Sequence, residues 1–307
     1  MYRGRRAHSI ETPELRVTVL VEGGHIAEIL DKQTGVNPLW TPPWPSIEPS
    51  TYDRARHPEY GADSESKLLA GIMGHNLCLD LFGPPSEAEA AAGLTVHGEA
   101  SIAAYEIATN SHELTARADL PMAGLQFERR LSLQPGSRAL HIVETVENLG
   151  AHDRPIAWTE HVTLGPPFLV SGSTEFRSTA TRSLELSPAY STHLMDPARE
   201  QAWFMAFSPQ SKTLFGYIWK RADFPWLGIW EENRGRKQPP WNGRTLTRGM
   251  EFGASPIPES RRAMVDRGNL FGVPAYRWIE AKRKLRVEYR AFLTPAERIP
   301  ESPRTDF

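Results

Sequence analysis

The sequence predicts an all-β fold built from antiparallel sheets, and three observations carry that prediction. Short runs rich in β-branched and aromatic residues alternate apolar with polar positions along most of the 307 residues. Clusters of Gly, Pro, Asn and Ser separate the runs where a chain reversal needs them. Long amphipathic helical stretches are scarce, which argues against alternating strand–helix units around a parallel sheet.

The first element is a hairpin. LRVTVLVEGGHIAEILDK (15–32) places two β-rich runs around Glu22-Gly23-Gly24, where the glycines supply the backbone freedom of a tight turn. Further strands are expected in LTVHGEASIAAYEIA (94–108), HELTARADL (112–120), LQFERRLSLQ (125–134), ALHIVETVENLG (139–150) and IAWTEHVTL (156–164). WFMAFS (203–208), TLFGYIWK (213–220), WLGIWEEN (226–233) and LRVEYRAFL (285–293) complete the set. The turns between them lie in QPGS, NLGAHD, GPP and SPQS. Short helices are expected in SESKLLAGIM (64–73) and SEAEAAAG (86–93). Two long proline-rich segments, 37–61 and 233–262, read as binding or lid loops, because their tryptophans and tyrosines disfavour solvated disorder. With no repeat and no linker, residues 1–307 read as one domain.

Composition narrows the partners. A net charge of -2 gives no electrostatic reason for a nucleic-acid or acidic-membrane partner, so a small ligand is expected. One cysteine, Cys78, excludes an intramolecular disulfide framework and a cysteine-rich zinc module. No apolar region follows the basic N-terminus and no run is long enough to span a bilayer, so the protein is expected to be cytoplasmic.

Chemistry-bearing residues are dispersed. His161 stands at the end of WTEHVTLGPPFL, where a strand opens onto a Gly-Pro-Pro loop and can present a side chain to a ligand; a packed, satisfied histidine explains it equally well. His97 precedes Gly98, and a regular strand would put Glu99 on the same face as His97. Glu251 lies between Met250 and Phe252 with Arg248 nearby, an environment that suits either a tuned base or a plain salt bridge. Glu160 should point away from His161. No H-E-x-x-H, H-x-H, phosphate loop or G-x-S-x-G elbow is present, so neither metal nor cofactor is expected.

The order of several blocks resembles the galactose mutarotase-like family, which includes the aldose 1-epimerases. VTVLVEGGHIAEILDKQTG is similar to the family's opening hairpin, TVHGEA to its early His-Gly motif, VENLGAHDRPIAWTEHVTLGPPFL to its central block, and RGMEFGASPIP to the late block carrying a glutamate. The resemblance spans most of the chain and implies an antiparallel β-supersandwich with a sugar cleft on one sheet.

It further implies roles: His161 as general acid, Glu251 as general base, and His97 as the histidine that orients the ligand. The implied reaction is anomer exchange, in which a base takes the C1 hydroxyl proton, an acid protonates the ring oxygen, and the opened chain recloses, with no cofactor. The alternative is a carbohydrate-binding protein without catalysis on the same fold. Stacking candidates for a sugar ring are Trp40, Trp44, Tyr52, Phe168, Trp226, Trp230 and Trp241, with Trp44 and Trp241 favoured by their irregular loops. Arg244 and Arg248 are candidates for a hydroxyl or anionic group. Where the family carries a Gly-Arg and Asn-Arg block, this chain has LLAGIMGHNLCLDLFGPP, so His75 and Asn76 are the expected substitutes.

Overall fold

The computed structural model describes residues 1–304, whose strands form two large antiparallel sheets. The first runs in the order β1 (Ala7–Glu11), β2 (Leu15–Leu20), β3 (Ile26–Asp31), β4 (His75–Asp80), β9 (Arg154–Leu164), β16 (Leu246–Gly253), β15 (Trp226–Asn233), β12 (Tyr190–Met195) and β11 (Ala180–Ser187), and β19 (Arg277–Ile279) pairs with β9 off that path. The second runs β10 (Glu175–Ser178), β13 (Gln201–Ser208), β14 (Thr213–Lys220), β20 (Lys284–Pro295), β8 (Ala139–Asn148), β7 (Leu125–Leu133), β6 (Glu113–Leu120) and β5 (Glu106–Thr109). A small ribbon of β17 (Asn269–Leu270) and β18 (Val273–Pro274) joins three short helices, α1 (Ser66–Gly71), α2 (Glu87–Ala91) and α3 (Arg261–Arg267), among the described residues. The fold is all-β, and no described helix is long and apolar enough to cross a membrane.

Alternation explains the core. On β6 every second residue, Leu114, Ala116, Ala118 and Leu120, is buried; on β7 the inward set is Leu125, Phe127, Arg129, Leu131 and Leu133. Facing them across the sandwich are Trp158, Val162 and Leu164 of β9 and Met250 and Phe252 of β16. The intruder is Arg129. Its guanidinium donates to Glu144 (2.6 Å), to Glu160 (2.9 Å) and to the Gly24 carbonyl (3.0 Å), so the charge that burial would penalise is paired on three sides.

A second layer of side chains covers the outer face of the first sheet. Residues 155–164 alternate between the intersheet core and this covered face, which is why nearly all of β9 is buried. The cover comes from the two long loops. Trp40, Trp44 and Trp241 pack with Tyr60, Leu68, Leu69 and Ile72 into one apolar cluster. Arg5, from the basic N-terminus, anchors it, donating to Glu48 (2.9 Å) and to the Gly71 (2.7 Å) and Glu22 (2.9 Å) carbonyls.

Three expectations about elements are corrected. Leu94 to Tyr105 is not a strand but a chain of turns with a 3-10 turn at Glu99–Ser101, because His97 and Gly98 both take positive φ, 72° and 81°. The loop expected over 233–262 contains β16, whose Arg248, Gly249 and Gly253 hide its strand character in the sequence. Strands β1, β4, β10, β11, β12, β17, β18 and β19 were not anticipated; β4 was masked by its His75-Asn76 start, and β11 and β12 are rich in serine and threonine.

Candidate active site

Strand register assembles the site. Pairing of β4, β9, β16, β15 and β12 aligns Asn76, His161, Glu251, Gly228 and Thr192 in one row across the sheet. Residues directly opposite one another point to the same face, so the row sets Glu251 beside His161 on the covered outer face. His161 Nε2 lies 3.1 Å from Glu251 Oε1. A parallel row, Thr163, Gly249, Trp230 and Tyr190, runs alongside, and Thr163 Oγ1 lies 3.0 Å from His161 Nδ1.

Two glycines make room for the carboxylate. A Cβ on Gly249 would stand 2.4 Å from Glu251 Oε1, and one on Gly228 would stand 2.3 Å from Tyr190 Oη and 3.3 Å from Glu251 Oε2. Gly249 and Gly228 therefore leave open the space that the Glu251 carboxyl occupies.

His97 reaches the same floor from its turn. Its Nδ1 lies 2.8 Å from the Phe82 carbonyl, which can only accept, so Nδ1 carries a proton and the neutral ring offers Nε2 as an acceptor. The His97 and His161 rings meet edge to face, centroids 4.9 Å apart. Glu99, expected on the same face as His97, instead accepts from the Met122 and Ala123 amides at 3.0 and 3.2 Å.

Burial sets the protonation of these groups. It pushes the Glu251 carboxyl up to about 8. His161 is held well below the ordinary histidine range, by burial first and by His97 second, and burial takes His97 down to about 4. Both groups are thus shifted toward their neutral forms, the Glu251 carboxyl upward and the His161 ring downward.

Around this floor lies a cavity of about 350 Å³, near the small end of the range for small-molecule sites. Trp40 and Trp241 stack (centroids 6.1 Å, planes 9° apart), Trp230 stands edge-on to Trp241 at 5.9 Å, and all three line the cavity with Phe82 and Tyr190. At the lining, the Arg236 guanidinium sits 4.8 Å over the Trp241 ring and 3.1 Å from Glu65.

Of the residues singled out in the sequence, His97, His161, Glu251, Trp40, Trp230 and Trp241 come together in this cavity. Others do not. His75 faces the intersheet core, because it pairs with Val162 rather than His161; its ring bridges Glu160 (2.8 Å) and Tyr217 (3.0 Å). Asn76 is buried next to His161 in the row but behind the lining, with its Oδ1 unpartnered. Arg248 lies on the other face of β16, over the Phe176 ring and paired with Glu231, and Arg244 is exposed outside the cavity. Trp44 stands behind Trp241 and donates to the Leu69 carbonyl (2.9 Å), while Tyr52 packs at the edge of the same cluster. Phe168 belongs to the intersheet core, and Trp226 donates to the Pro274 carbonyl at 2.9 Å.

Thr163, Tyr190, Glu65 and Arg236 were missed. Period-two spacing from His161 was a signal for Thr163; Tyr190 lay in an unrecognised strand, and Glu65 and Arg236 meet only through the loops. Among the described residues, no group of three or more His, Cys, Asp or Glu side chains is placed to hold a metal ion.

No protein-family model and no curated protein matches the sequence. Solved structures do match. A candidate aldose 1-epimerase from Klebsiella pneumoniae is 14% identical with a TM-score of 0.70, over 93% of this chain and 78% of that one. A galactose mutarotase related enzyme from Lactobacillus acidophilus is 12% identical with a TM-score of 0.63, over 96% and 100% of the two chains. A galactose mutarotase-like protein from Clostridium acetobutylicum is 12% identical with a TM-score of 0.64, over 96% and 97%. At such identities the likeness concerns architecture, and the architecture is plain: this chain has the galactose mutarotase-like fold.

Proposed function

We propose that the chain is a carbohydrate-active isomerase of the aldose 1-epimerase type, with Glu251 as base, His161 as acid and His97 orienting the sugar. The observation that carries this reading is the Glu251–His161 pair, 3.1 Å apart on a cavity floor walled by tryptophans. Passage of the shared proton from the carboxyl to Nε2 leaves a carboxylate and an imidazolium without changing the net charge of a buried site. The carboxylate then takes the C1 hydroxyl proton while the imidazolium protonates the ring oxygen; the C1–O5 bond opens, C1 rotates, and closure reverses both transfers. Neutral His97, with Nε2 as an acceptor, suits a sugar hydroxyl. The tryptophan faces suit the C–H surface of a pyranose.

Anomer exchange measured by saturation-transfer NMR across a panel of aldoses tests the reading. Exchange above buffer with at least one sugar is expected, falling by about 10²–10⁴-fold in Glu251→Gln. No exchange with any sugar, or undiminished exchange in the variant, overturns it. The second reading, sugar binding without catalysis, is favoured by LLAGIMGHNLCLDLFGPP, with His75 and Asn76, standing where the resemblance leads one to expect an arginine block. Tryptophan fluorescence that reports sugar binding in the absence of exchange would establish that alternative.

A further inference from the structure

Two parts of the cavity lining contrast in chemistry. The sheet and the His97 turn supply His97, His161, Thr163 and Glu251. From α1 and the residue after it come Leu68, Leu69 and Ile72, only 2%, 5% and 7% exposed and part of the same cluster as Trp40 and Trp241. Trp230 joins the two, packing against that cluster and standing edge-on to His161 at 6.1 Å.

Tryptophan walls alone fit any pyranose. Three branched aliphatic side chains are more selective, since a hydroxyl pressed against them gives up water and finds no partner. The aliphatic wall is also fixed in place. Trp44 Nε1 donates to the Leu69 carbonyl at 2.9 Å, Arg5 to the Gly71 carbonyl at 2.7 Å, and Ser66 Oγ to Asp63 at 3.0 Å.

Charge restricts the ligand further. Arg236 is the only lysine or arginine lining the cavity among the described residues, and it is already opposed by Glu65 at 3.1 Å and Glu232 at 3.9 Å. Asp63 adds another carboxylate to the lining. No surplus positive charge remains to hold a phosphate or carboxylate group.

From this arrangement we infer that the substrate is an uncharged deoxy sugar, a pyranose in which hydrogen replaces one hydroxyl, with that hydrocarbon edge seated on Leu68, Leu69 and Ile72. The inference rests on the epimerase reading above and assigns α1 the choice of substrate.

The test is anomer exchange by the full chain with D-glucose, its 3-, 4- and 6-deoxy analogues, and glucose 6-phosphate. At least one deoxy analogue should exceed glucose in kcat/KM by about tenfold or more, the scale of discrimination an apolar pocket achieves against one added hydroxyl, and the phosphate should fall below glucose. All three deoxy analogues at or below glucose, or glucose 6-phosphate matching it, overturns the inference while leaving the epimerase reading intact. Absence of exchange with every sugar overturns both. Ile72→Thr, which keeps the branched shape and adds a hydroxyl, should lower the ratio of deoxy analogue to glucose several-fold; an unchanged ratio in the folded variant also overturns the inference.

Discussion

Glu251 and His161 face each other across the β16–β9 ladder, with Oε1 and Nε2 3.1 Å apart and the carboxyl lying over two glycines. Among the described residues no lysine or arginine compensates the carboxylate, so burial drives its pKa upward, while burial first and His97 second drive that of its histidine partner downward. These shifts favour one proton on the pair, carried by the Glu251 carboxyl, between the two transitions.

That proton predicts the pH profile. It is lost as pH rises through about 8, and a second proton joins His161 only well below the ordinary histidine range. For a wild-type chain with exchange activity, kcat/KM should stay level through the ordinary histidine pKa of about 6.5 and decline above about 8. A profile that drops in the acid direction through 6.5 contradicts the lowered pKa of His161.

Gly249→Ala should damage activity more than stability. Its Cβ would press on Glu251 Oε1, and an ångström of displacement at a reacting group costs on the order of 10²-fold in rate. Exchange kinetics and a thermal melt on the same sample separate the two effects; a fully active variant would place the functional carboxylate elsewhere.

Folding stability should peak near pH 6.5. Buried His25 and His97 have pKa values lowered to about 3 and about 4, and those of His75 and His161 are also pushed down, so below 6.5 the unfolded chain binds protons that the folded chain refuses. His25 and His97 alone account for about 2 kcal/mol each at pH 5. Glu144 and Glu251, both raised to about 8, act oppositely: the folded chain keeps their protons from about 4.5 to 8 while the unfolded chain releases them, so stability declines as pH rises above 6.5. Below 6.5 the four histidines outweigh the two carboxyls. Urea midpoints from pH 5 to 8.5 should trace this maximum, and Glu251→Gln should flatten its alkaline side.

Arg129→Leu should destabilise the fold by about 3–5 kcal/mol. The substitution strands Glu144 and Glu160 between the sheets with one compensating cation fewer. Urea unfolding at pH 7 gives the value, and a loss below about 1 kcal/mol would mean that Tyr289, His75 and Trp158 satisfy both carboxyls unaided.

Legibility followed periodicity. The runs that became β6, β7 and β8 were readable because one inward face left an alternating record, whereas the β2–β3 hairpin was marked by its glycine turn and the doubly buried β13 and β14 by aromatic and β-branched content. β16 was not, since Gly249 and Gly253 serve a carboxylate and a close strand approach rather than a core. Similarly, a strand over 94–108 was expected because Leu94, Val96 and Ala100 look like strand residues, whereas positive φ at His97 and Gly98 turns the chain instead.

By itself the sequence determined the all-β class, the loops that hold the aromatic wall, and which residue types were available for proton transfer. Only the tertiary structure decided which of them meet. The register of β4 on β9 sends His75, opposite Val162, to the intersheet core and its neighbour Asn76 to the row of His161, and pairing between residues 90 positions apart in the chain brings Glu251 to His161. Side chains alternate across a strand locally, but the partner opposite each one is set by long-range pairing that no local pattern encodes.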